Sequence, residues 1–429
     1  MTELYSIFLR HPVVTTDSRD CPEGSMFFAL KGDTFDGNAY AAAALEKGCA
    51  YAVVDEARYA VDDRYIVVPD VLTALQRLAN EHRRALGTRI IGVTGTNGKT
   101  TTKELIAAVL GRKYRVLYTQ GNFNNHIGVP KTLLRLTPED EIAVVEMGAN
   151  HPGEIKTLVD IVEPDCGIIT NVGMAHLEGF GSFEGVIRTK GELYDNLRLR
   201  GAGPVFIDAD NPHLAKIAGG LTLVKYAVDS QAEDVTVKGE VMDCAPFLHF
   251  RWRASGAEHE VMTHLVGAYN IYNMLAAATI GLHFGVTPEE VDEALEGYVP
   301  GNNRSQLTVT ESNKLIVDTY NANPTSMAAA LQNFAIMDVK PKMAILGDMG
   351  ELGEASAGEH GKVVAFLQEH GFDNVWLVGR EFGKTQCPYR KFPDVAAVKA
   401  ELAAHPVAGR YILIKGSNSM RLFELPQLL

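Results

Sequence analysis

Short apolar runs alternate along this chain with stretches of helical period. In the first 87 residues the runs Met26 to Leu30, Ala50 to Val54 and Tyr65 to Val68 are separated by turn signals such as Lys31-Gly32-Asp33 and Asp36-Gly37, which predicts a small α/β domain. A helical period over Val71 to Leu86 ends at Gly87. It leads into the buried-strand pattern Arg89-Ile90-Ile91-Gly92-Val93, then a glycine turn and a helix near Thr101 to Leu110. Strands at Ile142 to Glu146, Cys166 to Thr170 and Pro204 to Asp208 alternate with helical stretches, the rhythm of a parallel sheet with helices on both faces. Between about 221 and 266, alternation such as Phe247-Leu248-His249-Phe250-Arg251-Trp252 predicts a small antiparallel insertion. After Pro300-Gly301-Asn302-Asn303-Arg304 the rhythm restarts at Lys314 to Asp318, Lys342 to Gly347, Asn374 to Gly379 and Tyr411 to Lys415, which predicts a Rossmann-like domain. The expected architecture is α/β in three domains, 1–87, 88–304 and 305–429.

Length and composition fit that division, because 429 residues at 46% hydrophobic are enough for two or three cores. The balance of 40 Lys and Arg against 53 Asp and Glu gives a formal charge of −13 with no dense basic run, which argues against a nucleic-acid partner. An acidic total does not exclude an anionic ligand, since a phosphate site needs only a few local donors. Cys21, Cys49, Cys166, Cys244 and Cys387 are scattered singly, with no CxxC pair and no zinc spacing. They read as free thiols in a reducing compartment. The start MTELYSIFLRHPVV lacks a basic stretch followed by a long apolar core, and nowhere do about 18 apolar residues run uninterrupted. A cytoplasmic protein without membrane insertion is expected.

The strongest chemical signal is Gly95-Thr96-Asn97-Gly98-Lys99-Thr100-Thr101 between an expected strand and an expected helix. Glycines there let backbone N–H groups curl around phosphate oxygens at a helix N-terminus. Lys99 would reach the β- and γ-phosphates, and Thr100 would ligate Mg²⁺. The general P-loop pattern has a glycine five positions before Gly98, where this chain has Val93, so the loop is a shortened variant. Glu146 ends an apolar strand, a place from which a carboxylate can reach a phosphate-bound metal. Thr170-Asn171-Val172-Gly173-Met174-Ala175-His176 ends another strand of the same sheet, so Glu146 and His176 are candidates to share a metal site. A strand-end Glu or a lone His is in itself more often solvated or structural, and Lys190 alone is one lysine among many.

Together, GTNGKTTTKE, EMGANHPGEI, TNVGMAHLEGFGS with a downstream KGEL, DTYNANPTSM, LGDMGELG and KGS resemble the Mur ligase family, across residues 16 to 417. Asn122-Phe123-Asn124-Asn125-His126-Ile127-Gly128-Val129-Pro130 and Tyr320-Asn321-Ala322-Asn323-Pro324 are similar to the branch that adds a dipeptide. The resemblance implies that ATP drives ligation of D-alanyl-D-alanine to UDP-N-acetylmuramoyl-tripeptide. It implies two Mg²⁺ ions and a Lys190 carrying CO₂ as a carbamate, which with His176 and Glu146 holds the second ion. Asn270 and Asn273 are expected near the adenine, with Tyr269 where the family commonly has His. Arg304 and Asp318 are expected to approach the nucleotide. Asp17, Ser18, Arg19, Lys31 and Gly32 resemble the uridine-nucleotide segment, joined by Asn122, Asn124 and Asn125. Tyr320, Asn321, Asn323, Lys415 and Ser417 are expected around the dipeptide, although Asn418 stands where an Arg commonly follows.

The expected reaction phosphorylates a carboxylate, a poor electrophile, to an acyl phosphate that an amine then attacks. Shielding that intermediate from water calls for closure of the third domain over the site, and the protein is expected to act as a monomer. Two rivals stay open at this point. One is another carboxylate–amine ligase, such as a folyl-polyglutamate synthase; the other is a P-loop switch whose third domain binds a partner.

Overall fold

The computed structural model describes residues 1–228, 234–301 and 304–429. Asn302 and Asn303 of the expected linker, and 229–233 within the expected insertion, lie outside the described residues. Among the described residues the strands form a four-stranded, a nine-stranded and a six-stranded sheet and a two-stranded ribbon. Helices cover the larger sheets, and no helix is long and apolar enough to cross a membrane.

The first sheet pairs Val14–Thr15, Met26–Phe28, Tyr51–Val54 and Tyr65–Val67 in parallel. The helix Val71–Leu86 follows. Asp70 caps its start by accepting from the Thr73 N–H, and Gly87 closes it at φ +68°, a left-handed conformation that glycine adopts without a Cβ penalty. Val71, Leu75, Leu78 and Ala79 recur at helical spacing and are buried, so this helix has one apolar face. That face joins a single apolar cluster running from Tyr5 and Phe28 to Val145 and Leu214, so the first region and the central sheet share a core. On the same helix Arg83 donates to the carbonyls of Val162 and Glu163 at 2.8 and 2.6 Å, tying it to the C-terminal end of the helix Glu154–Val162.

In the central sheet Ile90, Ala143, Val145 and Ile169 face one apolar cluster, while Ile91, Val93, Ile142, Val144 and Ile168 face the other. That is the period-two consequence of strands buried on both sides. Arg89–Thr94 lies between Ile142–Glu146 and Cys166–Ile169, all parallel, so the carboxyl ends of these three strands point to one edge. The expected antiparallel insertion takes a different form. Leu223–Ala227 pairs in parallel with Val205–Asp208, and Val237–Cys244 continues in parallel before the antiparallel strands Phe247–Ala254 and Ala257–Val266. The alternation at Phe247 marks a meander that extends the main sheet, because the open edge of Val205–Asp208 supplies the ladder for the next strand.

The C-terminal sheet has the antiparallel edge strand Gln306–Val309, then Lys314–Asp318, Tyr411–Lys415, Lys342–Gly347, Val375–Val378 and Arg390–Phe392 in parallel. Apolar clusters fill both of its faces, as expected of a doubly wound sheet.

Candidate active site

A cavity of about 940 Å³ opens where the carboxyl ends of the central strands meet the C-terminal sheet. Residues 96–98 of the glycine loop form its floor. Gly95 has φ +144°, and a Cβ there would fall 2.1 Å from Thr170 Oγ1; Gly98 has φ +77°, and a Cβ would fall 2.6 Å from Asn273 Oδ1. Both approaches require glycine. The strand end at 170–173 laces the loop in place. Thr170 Oγ1 donates to the Asn97 carbonyl at 2.6 Å, Asn171 Oδ1 accepts from the Asn97 N–H at 3.0 Å, and the Gly173 N–H donates to Thr96 Oγ1 at 3.0 Å. The helix Lys99–Leu110 then begins on Gly98, with its first N–H groups free of any side-chain cap, the arrangement that receives phosphate oxygens.

Lys99 Nζ donates to the carbonyls of Gly95 and Thr96 at 2.9 and 3.0 Å, so the loop holds its own lysine over the turn. Burial pushes this ammonium down to about 8, with Arg304 adding to the effect and Glu146 opposing it. Thr100 Oγ1 donates to Glu146 Oε1 at 3.2 Å, and Asn124 Nδ2 donates to the same oxygen at 2.8 Å. Glu146 Oε2 is buried with no hydrogen-bond partner, 4.0 Å from Lys103 Nζ. An orphaned carboxylate oxygen beside a threonine hydroxyl suits a divalent cation, because a buried polar atom without a hydrogen-bond partner is costly.

His176 lines the cavity at φ +51°, and its Nδ1 contacts the carboxylate of Glu351 from the C-terminal region. Its pKa is lowered, first by burial and then by Lys99 and Lys190, against the pull of Glu351. Lys190 is 2% exposed and donates to the Ala149 carbonyl at 3.2 Å, with the Phe180 ring 5.3 Å away. Burial drives it well below the ordinary lysine range, Lys99 adds to this, and Glu154 and Glu192 oppose it. A shift in that direction favours the neutral amine, the form that captures CO₂. Among the described residues no three His, Cys, Asp or Glu side chains converge as a metal-ligand group.

Asn270 and Asn273 are wired to the phosphate-loop helix: Thr102 Oγ1 donates to Asn273 Oδ1 at 3.0 Å, and Asn273 Nδ2 donates to Asn270 Oδ1 at 2.8 Å. Tyr269 and Ser305 share a hydroxyl–hydroxyl hydrogen bond of 2.8 Å beside them. From the C-terminal region, Asn323 Nδ2 donates to Asn97 Oδ1 at 2.8 Å while its Oδ1 caps the helix Pro324–Ile336. Arg304 stacks on Tyr320 at 3.7 Å, and the buried ammonium of Lys415 pairs with Asp318 and reaches the Asn321 carbonyl at 3.4 Å.

The cavity thus gathers Thr96 to Thr101, Asn122, Asn124, Asn125, Glu146, His176, Asn270, Asn273, Arg304, Asp318, Tyr320, Asn321 and Lys415. Lys190 lies just behind its wall at Ala149, and Ser417 bonds Ser419 at 3.0 Å beyond Lys415. Asp17, Ser18, Arg19, Lys31 and Gly32 do not line it. Arg19 is spent on an exposed pair with Asp17 at 2.8 Å, and Lys31 sits between Asp55 and Glu56 at 3.0 and 3.1 Å. Sequence reasoning assigned no role to Lys103, Asn171 or Glu351. Lys103 follows the loop and Glu351 stands in LGDMGELG, but only the fold shows that one faces Glu146 and the other His176.

Three family descriptions match consecutive parts of the chain: the Mur ligase family catalytic domain over 12–83, the Mur ligase middle domain over 93–281, and the Mur ligase glutamate ligase domain over 303–418. The UDP-N-acetylmuramoyl-tripeptide–D-alanyl-D-alanine ligase of Bacillus subtilis is 37% identical over 96% of this chain and 92% of its own length. A crystal structure of MurF from Acinetobacter baumannii superposes with a TM-score of 0.86 at 31% identity, covering 96% of this chain and 92% of that one. A MurF ligase from Thermotoga maritima, solved in complex with ADP, gives 0.87 at 25% identity over 100% and 98%.

Proposed function

From the premise that this chain belongs to the Mur ligase family, we propose that it joins D-alanyl-D-alanine to UDP-N-acetylmuramoyl-tripeptide at the expense of ATP, yielding the pentapeptide precursor of peptidoglycan. The observation that carries this reading is the single cavity in which the phosphate loop, Glu146, His176 and the C-terminal Asp318, Asn321 and Lys415 meet. A P-loop switch has no need of a buried carboxylate, an imidazole and a buried lysine around one loop. In this reading the domain 1–87 takes the UDP substrate, 88–304 ATP and 305–429 the dipeptide, and three consecutive family matches, over 12–83, 93–281 and 303–418, support the division into three parts. The enzyme acts as a cytoplasmic monomer in this account.

The loop amides and Lys99 hold the β- and γ-phosphates, and the tripeptide's terminal carboxylate attacks the γ-phosphorus, releasing ADP and leaving an acyl phosphate. The free amine of the dipeptide then attacks the acyl carbon, phosphate departs with the C–O bond, and the nitrogen gives up its proton as the amide forms. Mg²⁺, when bound, neutralises phosphate charge; Thr100 and Glu146 would hold one ion, and Glu146, His176 and a carbamylated Lys190 the other. Asn323 and Tyr320, held against the loop and Arg304, position the incoming dipeptide from the C-terminal side. Arg304 and Asp318 flank the nucleotide, with Asn270 and Asn273 bracing the adenine end.

The acyl phosphate is tested with tripeptide substrate labelled with ¹⁸O in its terminal carboxylate. Transfer of one label to the released phosphate is expected. Release of unlabelled phosphate alongside pentapeptide would refute the intermediate.

A further inference from the structure

The turn Asp348-Met349-Gly350-Glu351-Leu352-Gly353 leaves the carboxyl end of the strand Lys342–Gly347 and has no part in the chemistry described above. It nevertheless crosses to the central region. The Glu351 carbonyl accepts from the Glu178 N–H at 3.2 Å, while the Glu351 carboxylate meets His176 Nδ1. Backbone and side chain of one residue therefore engage the same turn. Glu351 has φ +59° and His176 φ +51°, two non-glycine residues in the left-handed region facing each other across the contact. Such conformations persist only where surrounding structure holds them, and they concentrate at functional sites.

The contact has a chemical consequence for the ring. A carboxylate on Nδ1 selects the tautomer that carries its proton there and leaves the lone pair on Nε2. The ring is further held edge-on to Phe180, with centroids 6.2 Å apart at 80°. Nδ1 is thus occupied, and Nε2 is the nitrogen left to bind a cation. A carboxylate behind a ligating imidazole also raises its basicity as a ligand.

We propose that Glu351 is a positioning residue for the ligase reaction. It fixes the tautomer and orientation of His176 so that Nε2 serves the metal, and the metal site is complete only when the C-terminal region is docked. This rests on the reading of His176 as a metal ligand.

The test uses the full-length enzyme with ¹⁵N-labelled histidine, the His176 resonances being assigned by their loss in His176→Ala. Without metal, the wild type is expected to show the Nδ1–H tautomer at His176, and Glu351→Ala a shift towards Nε2–H. Binding of Mn²⁺, read by electron paramagnetic resonance in the presence of ADP, is expected to weaken about tenfold in Glu351→Ala. Glu351→Gln, whose amide oxygen still accepts from Nδ1, is expected to stay within about threefold of wild type and to keep its tautomer. The Glu351 side chain is 55% exposed, so its replacement leaves the core untouched. An unchanged tautomer in Glu351→Ala, or Mn²⁺ affinity within twofold of wild type, overturns the role of Glu351. If His176→Ala binds Mn²⁺ as wild type does, the metal reading of His176 falls and this proposal with it. If His176→Ala weakens binding and Glu351→Ala does not, only the proposal falls.

Discussion

Removing the ammonium of Lys103 should destabilise the protein through Glu146, although Lys103 touches no expected substrate. Lys103 is fully buried and Glu146 1% exposed, with 4.0 Å between Nζ and Oε2. Thr119 brackets the pair: its carbonyl accepts from Lys103 at 2.7 Å, and its hydroxyl accepts from the Glu146 N–H at 3.0 Å. At an effective dielectric constant of about 20, unit charges at this separation attract by about 4 kcal/mol. Lys103→Met strips Oε2 of the Lys103 cation and leaves it buried without a hydrogen-bond donor, a loss of about 3–5 kcal/mol. Glu146→Gln costs less, about 1–3 kcal/mol, because Lys103 keeps Glu104 at 3.4 Å and the Thr119 carbonyl. The double variant should lose less than the two singles together, with a coupling of about 2–4 kcal/mol. For a chain of 429 residues, about 4 kcal/mol corresponds to a melting shift of about 4 °C. Thermal unfolding followed by circular dichroism, without nucleotide or Mg²⁺, reads all four proteins. Lys103→Met melting within about one degree of wild type, or strict additivity in the double variant, would refute the reasoning.

Arg83→Met should cost about 2–4 kcal/mol through the lost bonds to Val162 and Glu163, whereas Arg84→Met, at an exposed pair with Glu163, should cost under about 1 kcal/mol; urea unfolding distinguishes them. Burial raises the Asp208 carboxyl to about 7 in the fold, so the folded state holds a proton that the unfolded chain releases near pH 4. Stability from this group is full below about pH 4 and is lost as pH rises through about 7; Asp208→Asn should therefore match wild type near pH 4 and exceed it by about 4 kcal/mol at pH 8. Asn323→Ala removes the helix cap on Ser326 and the link to Asn97, and should lower stability by about 1 kcal/mol and kcat/KM for the dipeptide about tenfold, measured by melting and steady-state kinetics.

Several elements were legible because their local signals agree. Val71–Leu86 occupies the expected residues, with Asp70 at one end and Gly87 at the other, and Ile142–Glu146, Lys314–Asp318, Lys342–Gly347 and Tyr411–Lys415 match their apolar runs. The phosphate loop was legible for the same reason: its glycines sit where no Cβ fits, and that requirement is written in residue type. Pairing was less so. Nothing in the alternation around Phe247 says that its ladder joins the main sheet through Leu223–Ala227, since an open edge is a property of the assembled sheet. Contacts between regions were least legible. Glu351 lies 175 residues from His176, and Lys103 earns its partner only when Glu146 arrives on the neighbouring strand. The shared core beneath the helix Val71–Leu86 likewise follows from its docking, not from its pattern.

The central claim is tested most directly by following phosphate release from ATP with purified protein and Mg²⁺, adding UDP-N-acetylmuramoyl-tripeptide and D-alanyl-D-alanine separately and then together. The account predicts sustained release only with both, one pentapeptide formed per phosphate by mass spectrometry, and loss of both signals in Lys99→Ala. ATP turnover that is indifferent to the two substrates and yields no pentapeptide would contradict it.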